Sequence, residues 1–360
     1  IRRSRYRIFL PSSFHIAYCY NQNNNVRSAL FMIHDYSSFL LSLLHHVVCV
    51  FGTVANSLLL TIILLKTPQS MSSYSILLFS QALAQFLICI TSGILFIRCI
   101  AGGSTVFLVA CGICKVYCSH KTTFYLYTIT LHCFAHYSIM LAACFCFRLY
   151  LITNQTPSKR KTIGSIVMLY LPTLTIFMFF SQSTIYDPQV AKALLAIRGR
   201  EYIFQDGEIV TGVVNLTSEA SALAGLIWVC GIGVPVYMVL FTYPKATFAR
   251  IQIIIVSSRE ISRTLASNKP HMSEKTRQSH WEIQKGLLIQ SCLPSGYVIA
   301  CGFVAAAQLH LIKSVLLEYI IQLIGDHMVS ISAVLTLYYV KPYRRVLLRR
   351  IGQDGSVGMA

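Results

Sequence analysis

The stretch that decides the fold is FLLSLLHHVVCVFGTVANSLLLTIILL, which runs from Phe39 to Leu65. It contains no Lys, Arg, Asp or Glu, and it exceeds the about 20 apolar residues that an α-helix needs to cross a bilayer. Such a stretch predicts a membrane-spanning helix, because a helix satisfies its backbone polar groups within the segment. Barrel strands are excluded, since they would alternate apolar and polar residues over short segments.

Six further apolar runs follow along the chain. They are Tyr74–Ile97, Thr122–Tyr150, Ile163–Ser181, Ala220–Tyr243, Gly286–Leu309 and Ile312–Val340. Charged residues make up 12% of the chain, where a soluble domain carries roughly a quarter. The sequence therefore predicts an all-α membrane protein, a seven-transmembrane helix bundle over residues 39–340. The break between the last two runs, near His310 and Lys313, is short, so six or eight crossings are the alternatives.

Basic loops set the predicted orientation, because cytoplasmic loops of membrane proteins are enriched in Lys and Arg. The loop after the third run, the loop after the fifth and the tail are basic, and the first of them carries Lys159, Arg160 and Lys161. The amino terminus is therefore predicted outside. Residues 1–38 would form an extracellular tail, partly a gene-model artefact, and residues 341–360 a short cytoplasmic tail. The net charge of +18 then belongs to loops and does not indicate nucleic-acid binding.

Two glycosylation sequons test this orientation. Asn215-Leu216-Thr217 falls outside, which makes Asn215 the glycosylation candidate. Asn154-Gln155-Thr156 falls inside and is predicted to be unused.

Polar residues inside the runs are the candidates for ligand binding, because an ionisable side chain in a membrane helix needs a partner or a function. Asp326 is the acid deepest in a run; it can contact a ligand, pair with His327 or a histidine of the third run, or stay neutral. His132 and His136 are one turn apart, and core hydrogen bonding is favoured over metal binding there, since no further ligands are evident. The predicted ligand-pocket residues are His132, His136, Gln290, Gln322, Asp326 and His327, and no metal or cofactor is predicted.

Seven helices with an outside amino terminus resemble the layout of a G-protein-coupled receptor. In such receptors an Arg at the inner end of the third helix holds the inactive state and meets the G protein. Arg148 occupies that place, and its alternative role is a snorkelling anchor. The G-protein-facing candidates are Arg148, Tyr150, Lys341, Tyr343 and Arg344. Structural roles are predicted for Asn56, with partners on the second and seventh helices, and for the helix-kinking Pro235 and Pro294.

Several short motifs follow one another in a characteristic order along the chain. They are Asn56-Ser57-Leu58-Leu59-Leu60, Lys66-Thr67-Pro68, Met71-Ser72-Ser73-Tyr74, Gly112-Ile113-Cys114, His136-Tyr137-Ser138, Phe147-Arg148 and Leu337-Tyr338-Tyr339-Val340-Lys341-Pro342-Tyr343-Arg344. This series resembles the nematode serpentine chemoreceptors, most closely class delta (Srd). The resemblance implies a receptor in the plasma membrane of sensory cilia that binds a small molecule and activates a heterotrimeric G protein. Leu149 departs from the family pattern, which tends to have an aromatic residue after the Arg.

Four cysteines lie in or near the first outer loop, namely Cys99, Cys111, Cys114 and Cys118. Receptors of this layout usually join the top of the third helix to the second outer loop, but residues 181–220 contain no Cys. A bridge within the first loop is therefore expected. The alternative, a zinc site from Cys111, Cys114 and His120, lacks a second ligand pair.

The sequence also bears on two other classes of function, an enzyme and a transporter. An enzyme is not predicted, because the chain has no nucleotide-binding loop, nucleophile elbow or HExxH motif. The alternative to a receptor is a small-solute or proton-coupled transporter, with Asp326 and His327 as a proton relay.

Overall fold

The computed structural model describes residues 13–102, 105–153, 157–182, 184–185, 209–215, 311–312 and 314–348, with scattered residues between 282 and 309. The chain divides into two compact units, Ile1–Leu44 and His45–Ala360. The second unit contains the candidate site.

Most of the described residues are helical. The helices are α1 Ser13–Lys66, α2 Ser72–Leu95, α3 Cys114–Tyr117, α4 His120–Thr153, α5 Lys159–Gln182 and α6 Val315–Tyr339, and a 3-10 turn covers Gln69–Met71. The described residues from 282 to 308 and residues 341–348 are also helical. The long helices coincide with the first to fourth and the seventh apolar runs, whereas the fifth run lies outside the described residues.

Four described stretches are long and apolar enough to cross a membrane: Phe39–Lys66, Ser72–Leu95, His120–Cys144 and Leu316–Tyr339. Their outward faces carry large apolar side chains; Val50 is 64% exposed on α1, and Met168 is 68% exposed on α5. Continuous exposed apolar faces of this kind suit contact with lipid. Helix α1 begins at Ser13, so part of the predicted tail is helical.

A four-stranded antiparallel sheet, which the sequence did not predict, lies at one end of the bundle. Its strands are β1 Ile97–Gly102, β2 Thr105–Ala110, β3 Thr184–Ile185 and β4 Ile209–Asn215, in the order β1-β2-β4-β3. Because β2 pairs with both β1 and β4, hydrogen bonds join the connection after α2 to the connection after α5. The ladder does by backbone pairing what the usual receptor disulfide does covalently.

The predicted bridge within the first loop is confirmed, because Cys114 and Cys118 form a disulfide. Cys99 and Cys111 are not part of a disulfide among the described residues. With its sulfur in the disulfide, Cys114 has no thiolate to offer to the alternative zinc site.

The turn from α2 into β1 holds an unusual residue, Phe96, whose φ of 39° is left-handed. A non-glycine residue rarely adopts this conformation without compensation. Its ring is 1% exposed and stacks on His45 at 4.3 Å and on Tyr319 at 5.3 Å between centroids. This packing stabilises the turn and places an aromatic ring beside the polar cluster described below.

The opposite end of the bundle gathers three connections. Ser73 at the start of α2 donates a hydrogen bond of 2.8 Å to the carbonyl of Pro157, just before α5. Thr67, just after α1, bonds to the hydroxyl of Tyr343, which follows α6, at 3.1 Å. The basic residues of the α4–α5 connection and of the segment after α6 therefore share one end, as alternating helices require. Which end faces the cytoplasm stays a prediction.

Candidate functional site

Asp326 lies at the centre of a buried polar cluster that joins three helices. The Ser92 hydroxyl of α2 donates to Asp326 Oδ1 at 2.5 Å, and Gln322 Nε2, one turn back on α6, donates to the same oxygen at 3.3 Å. His45 of α1 places its Nδ1 2.9 Å from Asp326 Oδ2. The side chains of His45 and Asp326 are 0% and 1% exposed, so this contact is shielded from solvent.

The hydrogen bonds of His45 define its tautomer. Its Nε2 lies 3.0 Å from the carbonyl oxygen of Ser92, so Nε2 carries a proton and donates it. The Cys49 thiol, one turn along α1, lies 3.9 Å from His45 Nδ1. The same sulfur lies 3.7 Å from Nε2, so the imidazole contacts the Cys49 thiol near both ring nitrogens and the Asp326 carboxylate at Nδ1.

A buried ion pair lies close to this cluster, where β1 meets the start of α6. Arg98 Nε donates to Glu318 Oε2 at 2.7 Å, with side chains 0% and 7% exposed. The Arg98 guanidinium also lies over the ring of Tyr319, 5.4 Å from its centroid. The pair joins the first loop to α6 through charge as well as through packing.

His132 and His136 line a separate cavity of about 450 Å³ between α2, α4 and α5. The other lining residues are mainly apolar: Ser80, Leu83, Ala84, Leu87, Ile129, Cys133, Ile166, Val167, Tyr170, Leu174 and Phe177. A volume of this size and an apolar lining with few polar groups are typical of small-molecule sites.

The two histidines differ in their hydrogen bonding. His132 Nδ1 donates to the carbonyl of Thr173 on α5 at 2.7 Å, which fixes its ring. His136 Nε2 lies 3.0 Å from the Ser80 hydroxyl, whereas its Nδ1 is buried without a hydrogen-bond partner among the described residues. Because His136 is 5% exposed, its unpaired Nδ1 is a polar atom that a bound molecule could satisfy.

The remaining ligand-pocket candidates lie elsewhere. Gln290 donates to the carbonyl of Ser332 at 2.8 Å and to the hydroxyl of Thr336 at 2.6 Å, so it joins the sixth run to α6. His327 Nδ1 bonds to the carbonyl of Leu323 on its own helix. Asp326 therefore pairs with neither His327 nor a histidine of α4, and the contact on which a proton relay would depend is absent from this structure.

The predicted structural residues are partly described. Asn56 is fully buried and donates to the carbonyl of Gly52 at 2.9 Å and to Cys89 Sγ of α2 at 3.8 Å. It thus bonds to its own helix and to the second helix, while no hydrogen bond to α6 is seen among the described residues. Pro235 and Pro294 lie outside the described residues.

The candidates at the basic end have different surroundings. Tyr150 is 47% exposed and Lys341 is half-buried, and the side chain of Arg148 lies outside the described part of the chain. Arg344 bonds to Glu282 at 3.2 Å. Tyr343 is part of the hydrophobic core and is 0% exposed, so it presents no surface to a G protein here.

His45, Cys49 and Ser92 were missed by sequence reasoning. His45 and Cys49 stand four residues apart in the first run and so share one helix face. A histidine inside an apolar run is a signal of its own, but its partner lies far along the chain and no local pattern indicates it.

Comparison with known proteins assigns the chain to a family. The model of the serpentine type 7TM GPCR chemoreceptor Srd matches residues 41–349. The chain belongs to this family. The resemblance drawn from the motifs is thereby confirmed, as is the predicted seven-transmembrane fold.

Relatives of this Srd chain come from Caenorhabditis elegans. Serpentine receptor class delta-1 is 28% identical over 317 residues, covering 87% of this chain and 81% of that protein. Serpentine receptor class delta-3 is 28% identical over 303 residues, covering 82% and 83%. Squid rhodopsin superposes with a TM-score of 0.61 at 10% identity, covering 89% of this chain and 87% of its own, which shows the fold alone.

Proposed function

We propose that this Srd chain is a chemosensory receptor that binds a small molecule in the cavity between α2, α4 and α5. The observation that carries the proposal is the cavity itself, about 450 Å³ in volume and mainly apolar, with a lining that includes His136, whose buried Nδ1 has no hydrogen-bond partner among the described residues. A buried polar atom without a partner costs about 1–3 kcal/mol, and a ligand that bonds to it recovers part of this cost. The protein is then a multi-pass receptor of the plasma membrane, in sensory cilia, rather than an enzyme.

The lining of the cavity suggests the chemistry of the ligand. Leu83, Leu87, Ile129 and Phe177 favour an apolar body. The Ser80 hydroxyl can donate to His136 Nε2 or accept from it, so His136 Nδ1 can present either a proton or a lone pair. A ligand hydroxyl suits both states, because it donates and accepts. The proposed ligand class is a small, mostly apolar alcohol.

The basic end is the proposed contact for a heterotrimeric G protein. Arg148 and the exposed Tyr150 lie in the last two turns of α4, which ends at Thr153, and Lys341 and Arg344 follow α6. Positive surface at a cytoplasmic face is suited to acidic partner surface and to the anionic leaflet. Tyr343, being buried, is left out of this surface.

A cell assay tests the proposal. Cells that express the chain with a promiscuous G protein are exposed to a panel of small alcohols and their hydrocarbon analogues, and calcium is imaged. The expected result is a response to at least one alcohol and a weaker one to its hydrocarbon. His136→Leu should raise the half-maximal concentration by roughly 5- to 150-fold, the equivalent of about 1–3 kcal/mol.

The matched control is His120→Leu, a histidine on the same helix outside the cavity lining. It should leave potency unchanged at equal surface expression. If both substitutions change potency alike, or if solute uptake replaces G-protein activation as the response, the proposal fails.

A further inference from the structure

We propose that His45, Cys49 and Asp326 form a binding site for a borderline divalent transition-metal ion such as Zn²⁺. This site is distinct from the proposed ligand cavity and does not depend on it. Sequence analysis predicted no metal, because the three residues are distributed over two runs that lie far apart in the chain.

The geometry of the potential ligand atoms carries the first step. One ligand atom each from His45, Cys49 and Asp326 lies within 4.8 Å of the other two. All three residues are buried, with Cys49 2% exposed. His45 and Cys49 are one turn apart on α1, and Asp326 faces them from α6. Nitrogen, sulfur and oxygen ligands at these separations match a tetrahedral Zn²⁺ site after small closing movements of the side chains.

The hydrogen bonding supplies an independent second step. His45 Nε2 donates its proton to the Ser92 carbonyl, so in the neutral ring Nδ1 offers a lone pair. Nδ1 lies 2.9 Å from Asp326 Oδ2, and apart from this contact Oδ2 has no hydrogen-bond partner within the described part of the chain. Two electron-rich atoms at this distance need a positive charge beside them. A proton shared between these two atoms would serve them alone, whereas a metal ion would bind both of them and the Cys49 sulfur, which lies 3.7 and 3.9 Å from the two ring nitrogens of His45.

The residues behind the ligands have the arrangement that metal sites need. A metal-bound histidine generally donates its second ring N–H to a carbonyl or carboxylate, and the Ser92 carbonyl accepts it here. The second carboxylate oxygen, Asp326 Oδ1, accepts hydrogen bonds from Ser92 and Gln322, which orient the carboxylate. His45 and Asp326 are thus each oriented by hydrogen bonds to groups that do not bind the metal.

Charge balance favours a divalent ion in this position. Binding deprotonates the Cys49 thiol and displaces the proton that His45 Nδ1 and Asp326 Oδ2 share in the metal-free protein, and both protons leave to solvent. A thiolate, a carboxylate and a neutral imidazole then carry two negative charges, which equal the charge of Zn²⁺. A neutral site avoids the cost of an isolated charge inside the bundle. Three protein ligands leave a fourth tetrahedral position for water, unlike closed structural zinc sites with four protein ligands.

Cobalt substitution of the purified full-length chain in nanodiscs tests the site. The protein is first freed of metal with a chelator and then titrated with Co²⁺. The expected result is one Co²⁺ per chain with the thiolate-to-cobalt charge-transfer absorption, which Zn²⁺ then removes by displacement. Cys49→Ser should abolish the charge-transfer band, and Ser92→Ala should weaken affinity by about 10- to 100-fold.

Two matched controls separate this site from other thiols and histidines. Cys144→Ser removes a buried thiol that lies near Gln81, and His46→Ala removes the neighbouring histidine. Neither variant should change the cobalt spectrum. If the wild-type chain shows no charge-transfer band, the cluster is an ion pair alone and the proposal is overturned; this result needs no variant to fold.

Discussion

Arg98 and Glu318 lie in a part of the molecule where charge is costly unless it is paired. Their contact of 2.7 Å is almost fully buried. Removing one partner leaves the other uncompensated, so Glu318→Leu should lower the free energy of unfolding by about 3–5 kcal/mol. The double variant with Arg98→Leu should recover much of this loss. Thermal unfolding in detergent measures both.

The pair of Arg344 and Glu282 provides the control, because its side chains are 29% and 22% exposed. Arg344→Leu should change the free energy of unfolding by less than about 1 kcal/mol. Equal losses at both pairs would mean that burial does not determine the cost.

Cys99 in β1 offers a chemical test of the sheet. Burial raises the pKa of its thiol from 9.0 to about 11, and Glu318 adds to this effect. The folded thiol is therefore neutral near pH 8, and the stability it contributes is complete below pH 9 and is lost as the pH rises towards 11. Iodoacetamide at pH 8 should modify Cys111, which is partly exposed, well before Cys99. Mass spectrometry of the digested protein gives the order, and the reverse order would contradict the buried sheet.

At the scale of elements, Gly52 permits the close approach of α1, α2 and α6. A Cβ atom there would lie 2.7 Å from Cys89 Sγ and would also press on the Ser330 side chain. Gly52→Ala should therefore lower the free energy of unfolding by about 1–3 kcal/mol through overpacking. Gly164→Ala on α5 is the matched control, since a Cβ atom at Gly164 would have no atom of a packing neighbour within 4 Å. It should stabilise its helix by about 0.5–1 kcal/mol, and a gain at Gly52 as well would argue against tight packing.

The cavity between α2, α4 and α5 predicts how ligand size is limited. Leu87 lines it, so Leu87→Trp should reduce the response to larger alcohols more than the response to small ones. Leu171→Trp on α5 lies outside the lining and should leave the order of potency unchanged. Concentration–response curves for a homologous series of alcohols provide the measurement, and a uniform loss across the series would place the ligand elsewhere.

The elements also show what the sequence could predict. Apolar length alone locates α1, α2, α4, α5 and α6, because a spanning helix is a local property of about 20 residues. The sheet was missed because β2 and β4 are short and pair across about a hundred positions of the chain. The partner of Asp326 was missed for the same reason. Its burial was predictable from the seventh run, but its contact with His45 depends on how α1 and α6 pack.

At the scale of the whole molecule, the two ends of the bundle differ in charge and structure. The sheet lies at one end and includes Asn215, whose strand position pairs with Thr105 of β2. The basic connections lie at the other end, as the contacts of Ser73 with Pro157 and of Thr67 with Tyr343 indicate. If the basic end faces the cytoplasm, as loop charge predicts, Asn215 and the sheet must face outside.

Glycosylation of Asn215 tests this orientation directly. The chain expressed in animal cells should carry one enzyme-removable glycan, and Asn215→Gln should remove the corresponding mass shift. Asn154→Gln should have no effect, because sequons are glycosylated only on the outer side and Asn154 is predicted to lie inside. Asn154 itself lies outside the described residues.

An antibody to a carboxyl-terminal tag provides a second test of the orientation. It should bind only after the cells are permeabilised, because residues 341–348 follow α6 at the basic end. A glycan on Asn154, or a tag accessible in intact cells, would reverse the orientation and with it the side from which a ligand and a G protein approach.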